Sequence, residues 1–441
     1  MDFRGKNVLV VGIKRSGAGA IDLLHKQGVH VRAMDAQIPS AEEQLRFAAL
    51  GVAVAAQAPE NLGAPDLIVL SPAVPFDLPL FATARERGVP VIGEVELASY
   101  FLQGPTIGIT GSNGKTTTTA LTGHLLRKCQ IPAQVGGNIG TAVTSLIESS
   151  SEEQWNVLEL SSFQLETIDR FRAHIAACLN VTPDHLDRHG TLDVYAKAKG
   201  RLFETQIRGD FAVLNYDDAI CRNYARLTPA EIFWFSSTQP VPQGVAIEKD
   251  ALLYCGEPFL PLGSIRLRGM HNVENVMAAA LMAHLAGAPL DALPAAVESF
   301  PGVEHRIEFV RELDGVVYYN DSKATNVDAT LKAIASFPGN LWIILGGKDK
   351  GSDYTPLAAA LKEKAKGALL IGAATPLIEE ALRGRVPVEI CETVQKAVPF
   401  ARAHAKSGDF VLLAPACASF DQFQNYEERG KTFKQIVAEL F

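Results

Sequence analysis

Residues 108–117 read GITGSNGKTT, a lysine and a threonine set directly behind a glycine-bearing loop. That order suits phosphate. Glycines let a loop turn its N–H groups inward, a following helix N-terminus adds a dipole favourable to anions, and lysine and hydroxyl reach the outer phosphates and their metal. The spacing departs from GxxxxGK[ST], because Ile109 stands where the first glycine belongs and Gly108 and Gly111 flank it. The flanks supply the context, an apolar strand TIGIT before the loop and a helical TTTTALTGHLL after it. Gly111, Ser112, Asn113 and Gly114 are therefore the expected cradle, with Lys115 on the β- and γ-phosphates, Thr116 on Mg²⁺ and Thr117 behind it. Such a loop names no reaction, since switches, kinases, ligases and motors share it.

Other strand ends carry residues of matching chemistry. Glu159 closes WNVLEL, where a metal-holding carboxylate belongs beside a phosphate loop. TPDHLDRHG, after the next apolar run, gathers Asp184, His185, Asp187 and His189, nitrogen and oxygen donors suited to a divalent ion. A solvated polar loop is the competing reading for any one of them. Asp35 ends the second strand, 23 residues after Gly12, where an acid meets a ribose or similar group. Lys14 stands where GxGxxG requires glycine, so the dinucleotide fingerprint is broken and a mononucleotide or nucleotide-sugar fits better. Near the carboxyl terminus, YYNDSKATN, GGKDKGSD and APACASFDQF each follow an apolar run, and three such ends in one sheet predict a binding face.

These residues need elements to hold them. A chain of 441 residues exceeds the roughly 250 to 300 at which one core stops growing, so two or three domains are expected. NVLVVGI, VHVRAMD, DLIVLS and VPVIG alternate with helical stretches, which predicts a parallel sheet. A second unit begins at TIGIT and a third after SFPGVEHR, with VVYYNDS, LWIILGG, ALLIGA and FVLLAPA as its strands. The partition is 1–103, 104–299 and 300–441. Net charge is −8 with no basic block, which disfavours nucleic acid, and no apolar run reaches the ~18 residues of a membrane span. The start is too short for a signal peptide. Six scattered cysteines without a CxxC pair read as buried, reduced thiols of a cytosolic protein.

TGSNGKTTTT, GGNIG, LELSSFQLE, NVTPDHLDRHG, HNVENVMAA, HRIE, NDSKATN and PACASFDQF together resemble the Mur ligases, from the first strand to the final helix. LSSFQLE and NDSKATN are similar to the members that add D-glutamate to UDP-N-acetylmuramoyl-L-alanine. The resemblance implies an α/β chain of three domains: a Rossmann-like UDP-substrate domain, a central P-loop ATPase with a mainly parallel sheet, and a Rossmann-like amino-acid domain. It also accounts for the glycine spacing, since these ligases write the loop TGxNGK[ST]. ATP, two Mg²⁺ ions and an acyl phosphate are implied, in cytoplasmic peptidoglycan precursor synthesis by a monomer.

Residue by residue, the resemblance puts Lys115 on the β/γ-phosphates, Thr116 and Glu159 on the first metal and His185 on the second. Lys199 in YAKAKGRLF matches a lysine that the family carbamylates; without the resemblance it reads as a solvent-facing helix lysine. Asn275, Arg306 and Asp321 match ATP contacts, the last two carried by the linker and third domain, so that closure would assemble the site. Lys323, Thr325, Lys350, Ser419, Phe420 and Tyr426 match a D-glutamate pocket whose two carboxylates need cationic and hydroxyl donors. Ser16, Asp35 and Ser71 match the uridine-nucleotide loops, and Asn138 the muramoyl contact. Lys14-Arg15 and Ala36-Gln37 depart from the family pattern, and Lys348 competes with Lys350. The rivals are a ligase for another amino acid, a P-loop regulatory ATPase and, weakest, a dehydrogenase.

Overall fold

The computed structural model describes residues 3–441, an α/β chain built on three mainly parallel sheets. In the first, β1 (Asn7–Val11), β2 (His30–Asp35), β3 (Val54–Ala56), β4 (Leu67–Leu70) and β5 (Val91–Gly93) run parallel in the order β3-β2-β1-β4-β5. VLVV of β1 and LIVL of β4 are unbroken apolar runs, as strands covered on both faces must be. The order reverses between β1 and β4, so the loops behind these two strands open a crevice. The helix Arg15–Lys26 follows β1 and buries Ala18, Ile21 and Leu24, one side chain per turn.

The second sheet holds β6 (Thr106–Thr110), β7 (Ala133–Gly137), β8 (Trp155–Glu159), β9 (Ile175–Cys178), β10 (Phe211–Asn215), β11 (Glu231–Ser236), β12 (Gly244–Glu248), β13 (Ala251–Tyr254) and β14 (Glu257–Pro261). Its order is β14-β13-β12-β11-β10-β9-β6-β8-β7. β6 lies between β8 and β9, with Ile109 opposite Glu159 on one side and Ala177 on the other. The loop behind β6 thus emerges between Glu159 and the segment behind β9. β12, β13 and β14 turn antiparallel, an edge that strand–helix alternation does not predict.

In the third sheet, β15 (Glu308–Leu313) pairs antiparallel with β16 (Val316–Asn320), followed by β20 (Phe410–Leu413), β17 (Leu341–Gly346), β18 (Ala365–Ile371) and β19 (Val388–Glu392), all parallel. β16, β20 and β17 are neighbours, so NDSKAT, PACASF and GGKDK leave adjacent strands at the same end.

The chain divides into two compact units, one running through Ser264 and including Glu274–Ser299, the other comprising Ile265–Val273 and Phe300–Phe441. Segment 265–273 joins the second unit through Arg268, whose guanidinium lies 5.0, 5.6 and 5.3 Å from the ring centres of Tyr319, Phe337 and Phe410. No composition shift at 265–273 signals this.

In the first unit, Glu96, fully buried in the short helix Glu94–Ser99, accepts hydrogen bonds from the backbone N–H groups of Asp169, Arg170 and Phe171 at 2.8–3.0 Å. Glu96→Ala would remove the acceptor of three N–H groups, that of Phe171 buried and those of Asp169 and Arg170 at the surface, and we expect it to lower unfolding free energy by about 2 kcal/mol or more in urea titration. A loss below about 1 kcal/mol would mean that water replaces the carboxylate.

The cysteine expectation needs correction. Cys178, Cys221, Cys391 and Cys417 are buried, but Cys129 is half-buried at a helix end and Cys255 is exposed. Cys255 and Gly256 form the two-residue turn between β13 and β14, both at positive φ, and a hairpin tip points its side chains to solvent.

Candidate active site

The loop behind β6 is held from two sides. Ser112 N–H donates to the Asn180 carbonyl at 2.9 Å, and Asn113 N–H to Asn180 Oδ1 at 2.8 Å. Ser112 Oγ accepts from Thr182 N–H at 2.9 Å and lies 3.1 Å from the Tyr195 hydroxyl. Gly114 begins the helix Lys115–Lys128 at φ 86°, and a Cβ there would sit 2.3 Å from Asn275 Oδ1. Glycine is required on both counts. Asn275 is buried in the helix Met270–Leu285 and accepts from Thr118 Oγ1 at 3.2 Å, so it lies against the loop. Thr116 and Thr117 are buried at the helix start.

Two lysines converge here. Lys115 Nζ donates to the carbonyls of Gly111 and Ser112 at 2.8 and 2.9 Å, and Lys199 Nζ donates to the same Gly111 carbonyl at 2.8 Å. Lys199 is 1% exposed, which rules out the solvent-facing reading. It occupies the buried stripe of the helix Leu192–Glu204, one turn after Tyr195, with its ammonium 4.4 Å from that ring's centre. Burial, and then the positive charge of Lys115, push the amine down from 10.5 to about 7.

Glu159 is 2% exposed. Its Oε1 accepts from Asn138 Nδ2 at 2.8 Å, while Oε2 is buried with no hydrogen-bond partner among the described residues. A buried unpartnered carboxylate oxygen costs folding energy, and a hard cation would satisfy it. Thr116 lies in the first turn of the helix behind β6, and β6 is the neighbour of the strand that Glu159 ends; a carboxylate and a hydroxyl are donors that fit Mg²⁺. Asn138 N–H also donates to the Glu159 carbonyl, and Asn138's own carbonyl accepts from Arg15 Nη2 at 3.1 Å. The Lys14-Arg15 departure therefore places a guanidinium between the first loop and Asn138.

His185 begins the short helix Leu186–His189 at φ 51°, half-exposed, its ring 4.9 Å from Phe163. Asp184 Oδ2 lies 3.6 Å from its Nε2; the side chain of Asp187 falls outside the described residues. His189 is buried, with Nε2 on Ser162 Oγ at 3.0 Å and Nδ1 3.4 Å from Glu166. Arg188 donates to Glu166 at 2.9 Å and to the carbonyls of Pro72 and Val74 at 3.1 and 3.2 Å, over the face of Phe163. It ties TPDHLDRHG and LSSFQLE to the loop behind β4, and nothing local in the sequence marks it for that task.

At the first sheet, Ser16, Asp35 and Ser71 lie behind β1, β2 and β4. Asp35 accepts from the N–H groups of Ile13 and Gln37 at 2.9 and 2.8 Å, so it braces two loops. Ser71 is buried beside Gly12, and Ser16 is half-buried in the helix start. A cavity of about 440 Å³ opens at Asp35, between Gln37, Ile38, Gln44 and Val54.

In the second unit, Asp321 is buried behind β16, and burial lifts its carboxyl to about 6 against the pull of Arg306 and the Ile307 N–H. Lys323 Nζ lies 5.3 Å from the ring centre of Tyr426, Thr325 is half-buried two residues on, and Ser419 is buried behind β20 with Phe420 exposed beside it. Lys348 and Lys350 are both exposed; the main chain of Lys348 is pinned by its N–H to the Ala418 carbonyl at 2.8 Å. Glu304, His305 and Glu308 have metal-like spacing, yet Lys434 Nζ already bridges the two glutamates at 2.7 and 2.8 Å. Ser322 N–H fixes the Asn320 amide, whose Nδ2 donates to His305 Nδ1, so that nitrogen is not free for a metal.

Three family models match: the Mur ligase MurD-like N-terminal domain over 6–93, the Mur ligase middle domain over 109–283 and the Mur ligase glutamate ligase domain over 305–417. Among curated proteins, the UDP-N-acetylmuramoylalanine–D-glutamate ligase of Solibacter usitatus is 56% identical over 99% of this chain and 98% of its own. That of Acidobacterium capsulatum is 48% identical over 99% and 97%. Among solved structures, UDP-N-acetylmuramate-alanine ligase MurC of Thermotoga maritima superposes with a TM-score of 0.63 at 19% identity, covering 98% of this chain and 99% of that one. MurF ligase of the same organism, solved in complex with ADP, gives 0.63 at 18%, covering 99% and 96%. At these identities the two structures speak for the fold alone.

Proposed function

The chain belongs to the Mur ligase family, and from that premise we propose that it joins D-glutamate to UDP-N-acetylmuramoyl-L-alanine with ATP, releasing ADP and phosphate. The observation that carries the reading is the likeness to curated D-glutamate ligases along nearly the whole of both chains. The phosphate loop supports it, set between an unpartnered buried carboxylate and a buried lysine. We divide the labour as 1–103 for the uridine nucleotide, 104–299 for ATP and 300–441 for the amino acid. ATP and a UDP-linked sugar both belong to the cytoplasm, where we place the enzyme as a monomer.

A carboxylate is a poor electrophile and must be activated before an amine can attack. The substrate's alanyl carboxylate attacks the γ-phosphorus, ADP leaves, and the resulting acyl phosphate is attacked by the D-glutamate amine. The tetrahedral intermediate then expels phosphate. Phosphoryl transfer needs alignment and charge neutralisation more than covalent help. Lys115 leaves its loop carbonyls for the β/γ-phosphates, and the N–H groups of Gly114 to Thr117 at the helix start cradle them, in a loop whose Ser112 and Asn113 are pinned to Asn180. Asn275, Arg306 and Asp321 are assigned to ATP. Thr116 and Glu159 would hold one Mg²⁺, and His185 with Lys199, as a carbamate, a second; bound there, the ions neutralise the phosphate oxygens. Ser16, Asp35 and Ser71 take the uridine nucleotide and Asn138 the muramoyl group. Lys323, Thr325, Lys350, Ser419, Phe420 and Tyr426 take D-glutamate.

The test is ATP-dependent phosphate release with UDP-N-acetylmuramoyl-L-alanine, Mg²⁺ and, separately, D-glutamate, L-glutamate, L-lysine and meso-diaminopimelate. Release with D-glutamate alone, and only with the nucleotide substrate present, is expected. Release with a different amino acid would move the specificity, and release independent of amino acid would leave an ATPase.

A further inference from the structure

The loop behind β17, GGKDKGSDY, is built round one carboxylate. Asp349 Oδ2 accepts from Gly351 N–H at 2.9 Å, and Oδ1 from Ser352 N–H at 3.3 Å and from the Tyr354 hydroxyl at 2.6 Å. The two main-chain bonds are what an aspartate makes in its own turn. The third reaches further. Tyr354 is 4% exposed, in the core with Leu345, Leu357 and Ala416, and its oxygen also lies 3.1 Å from Cys417 Sγ in the segment behind β20. A carboxylate only accepts, so the phenol proton goes to Asp349 and the thiol donates to the phenol oxygen. Burial lifts the Cys417 thiol to about 11, so it keeps the proton that this direction requires. The tyrosine bond in turn holds the Asp349 carboxyl below its ordinary value.

Phenylalanine would fill the same slot with no hydroxyl to satisfy, so the chain from Cys417 through Tyr354 to Asp349 serves something besides packing. It joins two strand ends, since β17 and β20 are neighbours. A main-chain bridge, Lys348 N–H to the Ala418 carbonyl at 2.8 Å, ties the near side of the same loop. Lys350 follows both tied residues, exposed, and among the described residues its ammonium has no hydrogen bond or ion pair. Cys417 and Ala418 lead directly into Ser419. A carboxylate left free here would repel a dicarboxylate ligand, and three donors occupy this one.

We propose that Asp349 and Tyr354 are positioning residues of the amino-acid pocket, a strut from Cys417 that fixes the loop behind β17 so that Lys350, rather than Lys348, presents its cation to the side-chain carboxylate of D-glutamate. The proposal rests on the D-glutamate assignment above and supplies what holds Lys350 in place. Lysine has a long flexible stem, so a point charge on an untethered loop would select a carboxylate poorly. Tying the loop on both sides of that lysine removes the freedom that binding would otherwise have to quench.

The experiment is a double-mutant cycle on the full chain, comparing parent, Tyr354→Phe, Lys350→Met and the double variant, with Asp349→Asn as a second probe of the strut. KM is measured for D-glutamate, ATP and nucleotide substrate, together with amino-acid-independent ADP formation in a single turnover and the thermal midpoint. Lys350→Met is expected to raise KM for D-glutamate about tenfold or more, and Tyr354→Phe about threefold or more. The other two KM values and the ADP burst should stay unchanged. In the double variant the tyrosine substitution should add nothing, because the strut acts through the lysine it holds. Asp349→Asn should follow Tyr354→Phe, and it decides where the latter fails to fold. Factors that multiply in the double variant, an unchanged KM for D-glutamate in either single variant, or a parallel rise in all three constants would overturn the proposal. A parent enzyme with no D-glutamate-dependent turnover sinks the assignment itself, and the strut's role with it, before any variant is compared.

Discussion

Glu159→Gln is expected to cut phosphate release by about a hundredfold or more, since a metal's share of transition-state stabilisation is several kcal/mol and each 1.36 kcal/mol is a factor of ten. The same substitution should leave the thermal midpoint unchanged or raise it. Glutamine keeps the shape and can accept the Asn138 Nδ2 hydrogen bond through its oxygen. What it removes is a buried carboxylate oxygen with no hydrogen-bond partner among the described residues. Such an oxygen destabilises the fold, so its removal relieves the chain even as it disables the site. Opposite signs for stability and turnover identify a residue kept for its ligand. A variant with more than about a tenth of parental turnover would exclude Glu159 as metal ligand, and one that loses stability and activity together would make it a structural acid.

The legible parts of the sequence are those where chemistry demands local spacing. A phosphate loop needs strand, glycines, lysine and helix in succession, so GITGSNGKTT could be read without its neighbours. Which segments hold it could not, because Asn180 and Asn275 come from β9's loop and a helix much further along the chain. The three polar strand ends of the last unit were readable as strand ends, and their adjacency on β16, β20 and β17 depends on a strand order that no local pattern encodes. Lys199 and Arg429 share a different reason. Each sits in a polar-looking helix, where charged residues usually face water. Yet Tyr195, Lys199 and Leu202 share a helical face, as do Arg429, Phe433 and Val437, and all six are buried. A charge on the apolar face of a helix is the signal that distinguishes these two from their neighbours. Arg188 and Arg268 have no such signal, because their partners lie on distant segments.

Lys199→Met should lower turnover about a hundredfold with the fold intact, since methionine fills a buried slot of similar length and cannot be carbamylated. The argument begins with geometry. Two ammonium groups on one carbonyl, that of Gly111, repel each other in a region of little water. Carbamylation reverses the sign: the amine adds CO₂ to give an N-carboxylate and releases one proton, so repulsion of Lys115 becomes attraction. Only the neutral amine reacts. An ordinary lysine at 10.5 is almost wholly protonated at neutral pH, whereas one lowered to about 7 is largely neutral at pH 8. Turnover should therefore rise with pH through about 7 and fall on the acid side as the ammonium returns. Folding stability follows the same sign, because a depressed lysine binds fewer protons than the unfolded chain between about 7 and 10.5, and stability rises with pH across that window. Removing CO₂ from the buffer should depress parental activity and bicarbonate should restore it. ¹³C-bicarbonate should yield a carbamate resonance in the parent, absent from Lys199→Met. Full activity without CO₂, together with no labelled resonance, would reduce Lys199 to an unmodified amine that braces the phosphate loop.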